Sequence, residues 1–263
     1  GSVAYHELKR SVENYGATSG SIVIIDPKNA DILALTNFPS FNPSNRRNLT
    51  DMSTLRNRAT VDIFQPGSVL KPLAMAAIID SGKVNKDVII DTSPGWIEFG
   101  GYTTRDFRDY GELSLSEIIS YSSNVGMVKL CKDQDSHHLI QYFSNFGIGI
   151  SPTNILIPSR EGFLPESSMI SERDKVSSCY GYGLSMSAIQ IAQAYQVFAN
   201  NGIFKELNLF HDKSLSSPKP EKRVLSVETT NFIKNMLFES VNSRQGTAKG
   251  ARIVGLEVAG KTG

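Results

Sequence analysis

The stretch Pro66-Gly67-Ser68-Val69-Leu70-Lys71 is where the chain turns from proline- and asparagine-rich sequence into helix. Beyond it, Val69 to Asp80 is dense in Ala, Leu, Ile and Met, and Ser81-Gly82 supplies the stop. Pro72 is tolerated only in a first helical turn, so the helix must start close to Ser68. Ser68 and Lys71, three positions apart, then share one face. A serine hydroxyl becomes a nucleophile when a neighbouring base takes its proton. A lysine can be that base if burial or another cation depresses its pKa. The N–H groups at the helix start are where an oxyanion could form. The same four residues equally describe a helix cap followed by a solvated lysine.

Working outward, Ala4 to Tyr15 reads as a short amphipathic helix ending near Gly16. Ser21–Asp26 and Asp31–Thr36 read as strands joined through Asp26-Pro27-Lys28-Asn29, a hairpin. The two prolines of Asn37-Phe38-Pro39-Ser40-Phe41-Asn42-Pro43 forbid regular structure for long. Further along, Ser114 and Glu117 form a capping box for a helix running towards Tyr121, and Asp135–Phe146 is a helix closed by Gly147. Ser187–Ala199, capped by Ser187 and Gln190, and Ser226–Val241 follow. Leu256–Lys261, partly β-branched and flanked by glycine, reads as a last strand. Strands at both ends with helices between them give one α+β domain, its sheet assembled from sequence-distant segments.

Composition narrows the function. The 263 residues carry 27 Lys and Arg against 26 Asp and Glu, a net charge of +1, which argues against a nucleic-acid binder needing a basic face. The longest apolar run, Leu73–Ile79, is far short of the ~18–20 residues of a membrane span. Cys131 and Cys179 are too few for a disulfide scaffold, lack metal-ligand spacing and leave the compartment open. His137 and His138, adjacent on a helix, face different sides and read as solvated surface, while His6 and His211 are isolated.

Two more clusters accompany Ser68 and Lys71. Ser122-Ser123-Asn124 follows a helix, and its hydroxyl and amide two positions apart can point into one cleft, one to pass a proton and one to hold an amide. Val258-Ala259-Gly260-Lys261-Thr262-Gly263 offers a cation and a hydroxyl for a carboxylate, with glycine admitting close backbone approach. Each alone is an ordinary loop or packing pattern.

In this order, S-x-x-K, S-x-N and K-T-G form the signature of the active-site serine penicillin-interacting enzymes. With Asn57-Arg58, Gly181-Tyr182-Gly183-Leu184, Ala17-Thr18-Ser19-Gly20, Asp26-Pro27 and the tail from Gly246-Thr247-Ala248, the chain from Gly20 on resembles class B penicillin-binding proteins. Within them it is most similar to the division-specific transpeptidases of Gram-negative bacteria. Gln65 departs from the family's usual glutamate, a change expected to be tolerated.

The resemblance implies an antiparallel sheet between helices with an all-helical subdomain. Residues 1–66 and 184–263 would form the sheet-containing part and 67–183 the mainly helical part of one domain. It implies a serine acyl-transferase in which Ser68, Lys71, Ser122, Asn124 and Lys261 are catalytic, with no metal or organic cofactor. Thr262, Gly263, Tyr180 and Tyr182 would bind substrate, although the two tyrosines could equally be core packing. The partners implied are peptidoglycan stem peptides, β-lactam antibiotics and membrane proteins of the division complex. The setting implied is the periplasmic face of the inner membrane, with any anchor outside these residues. The family continues past K-T-G through further strands and a C-terminal helix, and places one oxyanion-hole N–H just after that motif. The expectation is therefore a sheet incomplete in this chain, which needs those strands to act. A β-lactamase shares the motifs, but no separate deacylating glutamate motif is visible, and the span from Ser122 to Lys261 is long for one. A penicillin sensor or division scaffold that keeps the pocket without turnover is the competitor outside enzymology.

Overall fold

The structure, a computed structural model, describes residues 2–40, 52–152, 155, 157–208 and 220–263. Helix α1 (Ser2–Tyr15) lies on an antiparallel hairpin of β1 (Gly20–Asp26) and β2 (Asp31–Phe38), aligned from Gly20 opposite Phe38 to Asp26 opposite Asp31 with one irregularity at Ile24/Ile25. Gly20 is needed here, because a Cβ would fall 2.8 Å from Leu8 Cδ1 and 3.0 Å from Val12 Cγ2. The irregular stretch expected after Asn37 begins later, since β2 runs to Phe38, and Phe41-Asn42-Pro43 lie outside the described residues. So does His211.

A short helix α2 (Arg58–Val61) precedes a 3₁₀ turn at Gly67–Leu70 that feeds α3 (Lys71–Asp80), with Pro72 in the first turn. Nine of the ten α3 residues are buried, so it is apolar on every side and forms the axis of the core. Around it stand α4 (Leu115–Ser120), α5 (Asn124–Cys131), α6 (Ser136–Asn145), α7 (Glu172–Ser178), α8 (Ala188–Ala199) and α9 (Val227–Asn242). Both expected capping boxes are formed, Ser114 with Glu117 on α4 and Ser187 with Gln190 on α8. Ile189 of α8 packs with Ala30, Ile155 and Leu207 in a smaller apolar cluster against the hairpin, so α8 couples hairpin to core.

Three expectations need refining or correcting. First, the mainly helical stretch 67–183 also contains strands. It holds two antiparallel pairs: β3 (Ile89–Asp91) with β6 (Glu112–Ser114), and β4 (Trp96–Phe99) with β5 (Tyr102–Arg105). The signal was local, since Gly100 and Gly101 take φ +59° and +82° between two aromatic-rich runs, a glycine hairpin turn. A third pair, β7 (Ile203–Lys205) with β8 (Glu221–Arg223), follows α8. Second, Leu256–Lys261 forms no strand and is not paired with the hairpin; among the described residues no strand pairs with it. α9 holds the segment instead, through Gly260 N donating to Leu237 O at 3.0 Å and Asn242 Nδ2 donating to Val258 O at 2.8 Å. Third, His138 is not solvated surface. It is half-buried, with a ring nitrogen 3.0 Å from Ala77 O and its ring beside Tyr142.

Cys131, ending α5, and Cys179, just past α7, form a disulfide with Cα atoms 6.6 Å apart. Beside it the buried Lys175 donates to Gln134 O at 2.8 Å, Lys132 O at 3.1 Å and Glu172 Oε2 at 2.6 Å, satisfying carbonyls beyond α5. The crosslink closes a loop of sequence separation 48. By loop-closure entropy that stabilises the fold by up to about 4 kcal/mol. The unreduced, denatured protein is expected to show no alkylatable thiol, and Cys131→Ser/Cys179→Ser to unfold at a lower urea midpoint. Two free thiols before reduction would contradict the crosslink.

Candidate active site

At the first position of α3, Lys71 is fully buried, and an ammonium there loses its hydration. Its Nζ donates to Ser122 O at 2.7 Å and lies 3.0 Å from Ser122 Oγ. From the other side Lys261 Nζ lies 3.0 Å from the same Ser122 Oγ and donates to Thr262 O at 2.9 Å. One hydroxyl therefore joins two lysines from distant parts of the chain. Burial, then the positive charge of Lys261, brings the Lys71 pKa down from 10.5 to about 7, with Asp106 pulling the other way. Burial lowers Lys261 to about 8.

Ser68 sits one turn before Lys71 in the 3₁₀ turn, and its carbonyl accepts from Lys71 N. Its side chain is half-buried, and among the described residues its hydroxyl makes no hydrogen bond. Gly263 lies beside this turn, since a Cβ on it would fall 3.1 Å from Val69 Cγ1. Thr262 Oγ1 donates to Thr247 Oγ1 at 3.2 Å. Ser68, Lys71, Ser122, Lys261, Thr262 and Gly263 are thus brought to one place.

Asn124 opens α5 rather than lying in a loop, and its Nδ2 donates to Arg105 O at 3.1 Å. Its hydrogen-bonded partner is thus the end of β5. Sequence reasoning missed Asp106, whose carboxylate organises this corner. Oδ2 accepts from Ser123 Oγ at 2.6 Å, and Oδ1 accepts from Asn124 N at 2.6 Å and Val125 N at 3.0 Å. It satisfies otherwise orphan donors at the start of α5 and complements the positive end of that helix. No local motif marks it, because the contact to Ser123 spans 17 positions.

A cleft of about 550 Å³ runs from Asn124 along the β4–β5 hairpin and α7 to Tyr180 and Tyr182. The tyrosine rings meet edge-on at 5.6 Å; Tyr182 is 51 % exposed, and Tyr180 OH lies 3.3 Å from Thr104 Oγ1. Tyr182 is therefore wall rather than core, while Tyr180 is half-buried against it. Gln65 lines the same cleft. Ser68, Lys71, Ser122 and Lys261 lie outside that lining, whereas Asn124, on the same chain segment as Ser122, is part of it.

Gly181, between the tyrosines, ties this wall to the turn that carries Ser68. It has φ +90°, and a Cβ on it would fall 2.1 Å from Gly67 O. Gly67 N donates to Gly181 O at 3.2 Å. Gly183 also has positive φ, +77°, but nothing stands within 4 Å of its Cβ position. Gly183→Ala should cost only the backbone penalty of about 1 kcal/mol. Gly181→Ala should cost at least ~2 kcal/mol more, because backbone must move. Urea denaturation of both variants checks this, and equal costs would refute the close contact.

Residues 20–263 match the family model described as the penicillin binding protein transpeptidase domain. The chain is 35 % identical over 263 residues to a probable peptidoglycan D,D-transpeptidase PbpC of Pseudomonas aeruginosa, covering 99 % of this chain and 45 % of that protein. It is 32 % identical over 261 residues to the peptidoglycan D,D-transpeptidase FtsI of Escherichia coli K12, covering 99 % and 43 %. The chain thus spans less than half the length of these curated relatives. Among solved structures, the apo TP domain of Burkholderia pseudomallei penicillin-binding protein 3 superposes with a TM-score of 0.87 at 28 % identity, covering 98 % of this chain and 73 % of that one. A peptidoglycan glycosyltransferase from Burkholderia ambifaria superposes with a TM-score of 0.89 at 27 % identity, covering 99 % and 78 %. With residues 20–263 of its 263 matched by the family model, the chain belongs to the transpeptidase domain family of the class B penicillin-binding proteins.

Proposed function

We propose that Ser68 is the nucleophile of a D,D-transpeptidase that cross-links peptidoglycan stem peptides and is acylated by β-lactams. The observation that carries this reading is the Ser122 hydroxyl shared by Lys71 and Lys261, with Lys71 one turn beyond Ser68 in the chain. With a pKa of about 7, Lys71 is free base in a large fraction of molecules at neutral pH and can take the Ser68 proton. Ser68 Oγ attacks the penultimate carbonyl of a D-Ala-D-Ala end. As the C–N bond breaks, the terminal D-Ala nitrogen receives a proton through the Ser122 hydroxyl, which the two lysines can replenish. An amine from a second stem peptide then displaces Ser68 and restores its proton. Asn124 orients the substrate amide, while Lys261 and Thr262 receive the terminal carboxylate. Tyr180 and Tyr182 wall the acyl-donor side, and Gly263 admits the substrate backbone beside Ser68.

The buried Cys131–Cys179 crosslink supports an oxidising compartment such as the periplasm. We place the activity at the septum on the strength of the resemblance to division-specific enzymes. Depletion in the source bacterium should then give filaments. Rounded cells would move the enzyme to side-wall synthesis.

Fluorescent β-lactam labelling of the full-length protein should add one inhibitor mass at Ser68 and persist for hours. Ser68→Ala should abolish it, and release within seconds would point to a β-lactamase. Lys71→Arg should slow acylation at least ~10²-fold, because a guanidinium keeps its proton. Acylation should rise with pH through a midpoint of about 7 as Lys71 loses its proton. Asp106 raises the Lys71 pKa, so Asp106→Asn should move that limb to lower pH. A limb unmoved in Asp106→Asn, or near-normal acylation by Lys71→Arg, would assign the base to another group.

A further inference from the structure

The proposed reaction has two substrates, and the cleft walled by Tyr180 and Tyr182 takes one of them. The second brings an amine to the acyl carbon on Ser68. By microscopic reversibility that amine enters where the D-Ala nitrogen left, beside the Ser122 hydroxyl. The rest of the acceptor then leads away on the side where Lys261 and Thr262 received the leaving carboxylate. On that side Thr262 Oγ1 donates to Oγ1 of the exposed Thr247 at 3.2 Å.

A second cavity, a groove of about 700 Å³, lies between α4 and α9. It runs from Tyr121 and Gln245, beyond the ends of the two helices, back along α9 to Phe232. Its near end is tied to residues of the site. Tyr121 directly precedes Ser122, and its hydroxyl donates to Gln245 Oε1. Ser120, also in the lining, accepts from Thr247 N at 3.1 Å through its carbonyl. Gly246 keeps this junction close, since a Cβ on it would fall 2.1 Å from Ser240 O.

The lining suits a peptide that arrives as a cation. Glu117 and Glu239 are the only charged residues in it. Glu117 is held in place by accepting from Ser114 N at 3.1 Å through Oε1. Lys86 stands over the Phe232 ring but is paired with Glu228, so the groove keeps its negative sign. Phe232 and Phe238 supply apolar surface. Among the described residues the side chains of Ser116 and Asn235 make no hydrogen bond, which leaves a hydroxyl and an amide for peptide groups.

We propose that the α4–α9 groove holds the acyl acceptor, a peptide that enters amine first and lies along α9 while its amine stands at Ser122. The carboxylates of Glu117 and Glu239 draw in the amine as its ammonium. One proton leaves the ammonium for solvent by way of the lysine pair. The free amine attacks the acyl carbon, a C–N bond forms and the ester C–O bond to Ser68 breaks. The second proton passes to Ser68 Oγ, which restores the hydroxyl. A single amino acid occupies only the place of the departed D-Ala, whereas a peptide reaches past Thr247 into the groove. The inference rests on the transpeptidase reading above and gives a place to the substrate which that reading leaves without one.

The test uses full-length protein and one synthetic donor ending in D-Ala-D-Ala. Two acceptors carry the same D-configured carbon with its amine and carboxylate. One is the free amino acid, and in the other that carbon is joined through its side chain to a short peptide. Transfer should show a kcat/KM at least ~10-fold higher for the peptide acceptor, because only it reaches the groove. Glu239→Gln and Phe238→Ala should each lower that ratio at least ~3-fold. Lys234→Gln, on α9 but outside the lining, should keep it. A ratio between two acceptors is independent of the folded fraction, so a poorly folding variant still reports. A peptide no better than the free amino acid, or a ratio unchanged in Glu239→Gln and Phe238→Ala, would overturn the groove and leave the transpeptidase reading intact. Acylation of Ser68 without transfer to either amine, or no acylation at all, would overturn that reading and the groove with it.

Discussion

The site depends on a lysine amine held without water beside a second lysine. An ordinary lysine keeps its proton to about pH 10.5, and a base must lose it near neutrality. The helix that carries Lys71 is buried on every side, so its amine is desolvated by the same packing that forms the core. Fold and reactivity therefore share one cause. Lys261 contributes the second part of the depression, and Asp106 limits it. An amine with only burial and a cation around it would fall further and lose basicity along with its proton.

Ser122 shows what the arrangement demands of the backbone. It follows the last turn of α4 with φ +60°, a position where glycine carries no steric penalty and a Cβ costs about 1–2 kcal/mol. A hydroxyl can hang there only if something offsets that cost. Lys71 does so in part, donating to the carbonyl that this conformation turns inward. Asp106 secures the next three residues through Ser123 Oγ and the N–H groups of Asn124 and Val125. Strain held by surrounding hydrogen bonds at a reactive position is the pattern expected where a side chain is needed for chemistry.

What was legible in the sequence was local or carried by spacing. The capping boxes at Ser114 and Ser187, the first hairpin and the helix after Pro66 depend on neighbours within a few positions, and each formed. The three motifs announced their residues by order, and the fold brings their side chains into adjoining positions. What failed depended on distant partners. Leu256–Lys261 has the residue types of a strand, but a strand exists only with a neighbour to bond, and α9 supplies the contacts instead. The pairing of Cys131 with Cys179 and the reach of Asp106 to Ser123 are decided by packing that no window of sequence contains. The β4–β5 hairpin is the exception, since its glycine turn was readable and was passed over for the helices around it.

Backbone contact, more than side-chain contact, sets how the cleft meets the nucleophile. α5 starts at Asn124, and α7 runs out into the tyrosine loop; the Cys131–Cys179 bond joins the far end of α5 to the end of α7 from which that loop leaves. With those ends tied, the loop's position is set at its tip, where Gly181 lies directly on the backbone of Gly67. Ser68 follows Gly67 immediately, so moving the tyrosine wall would move the turn that presents the hydroxyl. Side chains at such a contact could change rotamer and loosen it, whereas two glycine backbones leave nothing to rotate. The tyrosine wall and Ser68 are therefore coupled through backbone, so a shift of one is passed to the other. On the proposed reading, that coupling sets where an acyl donor in the cleft stands relative to the hydroxyl, which is what positioning requires.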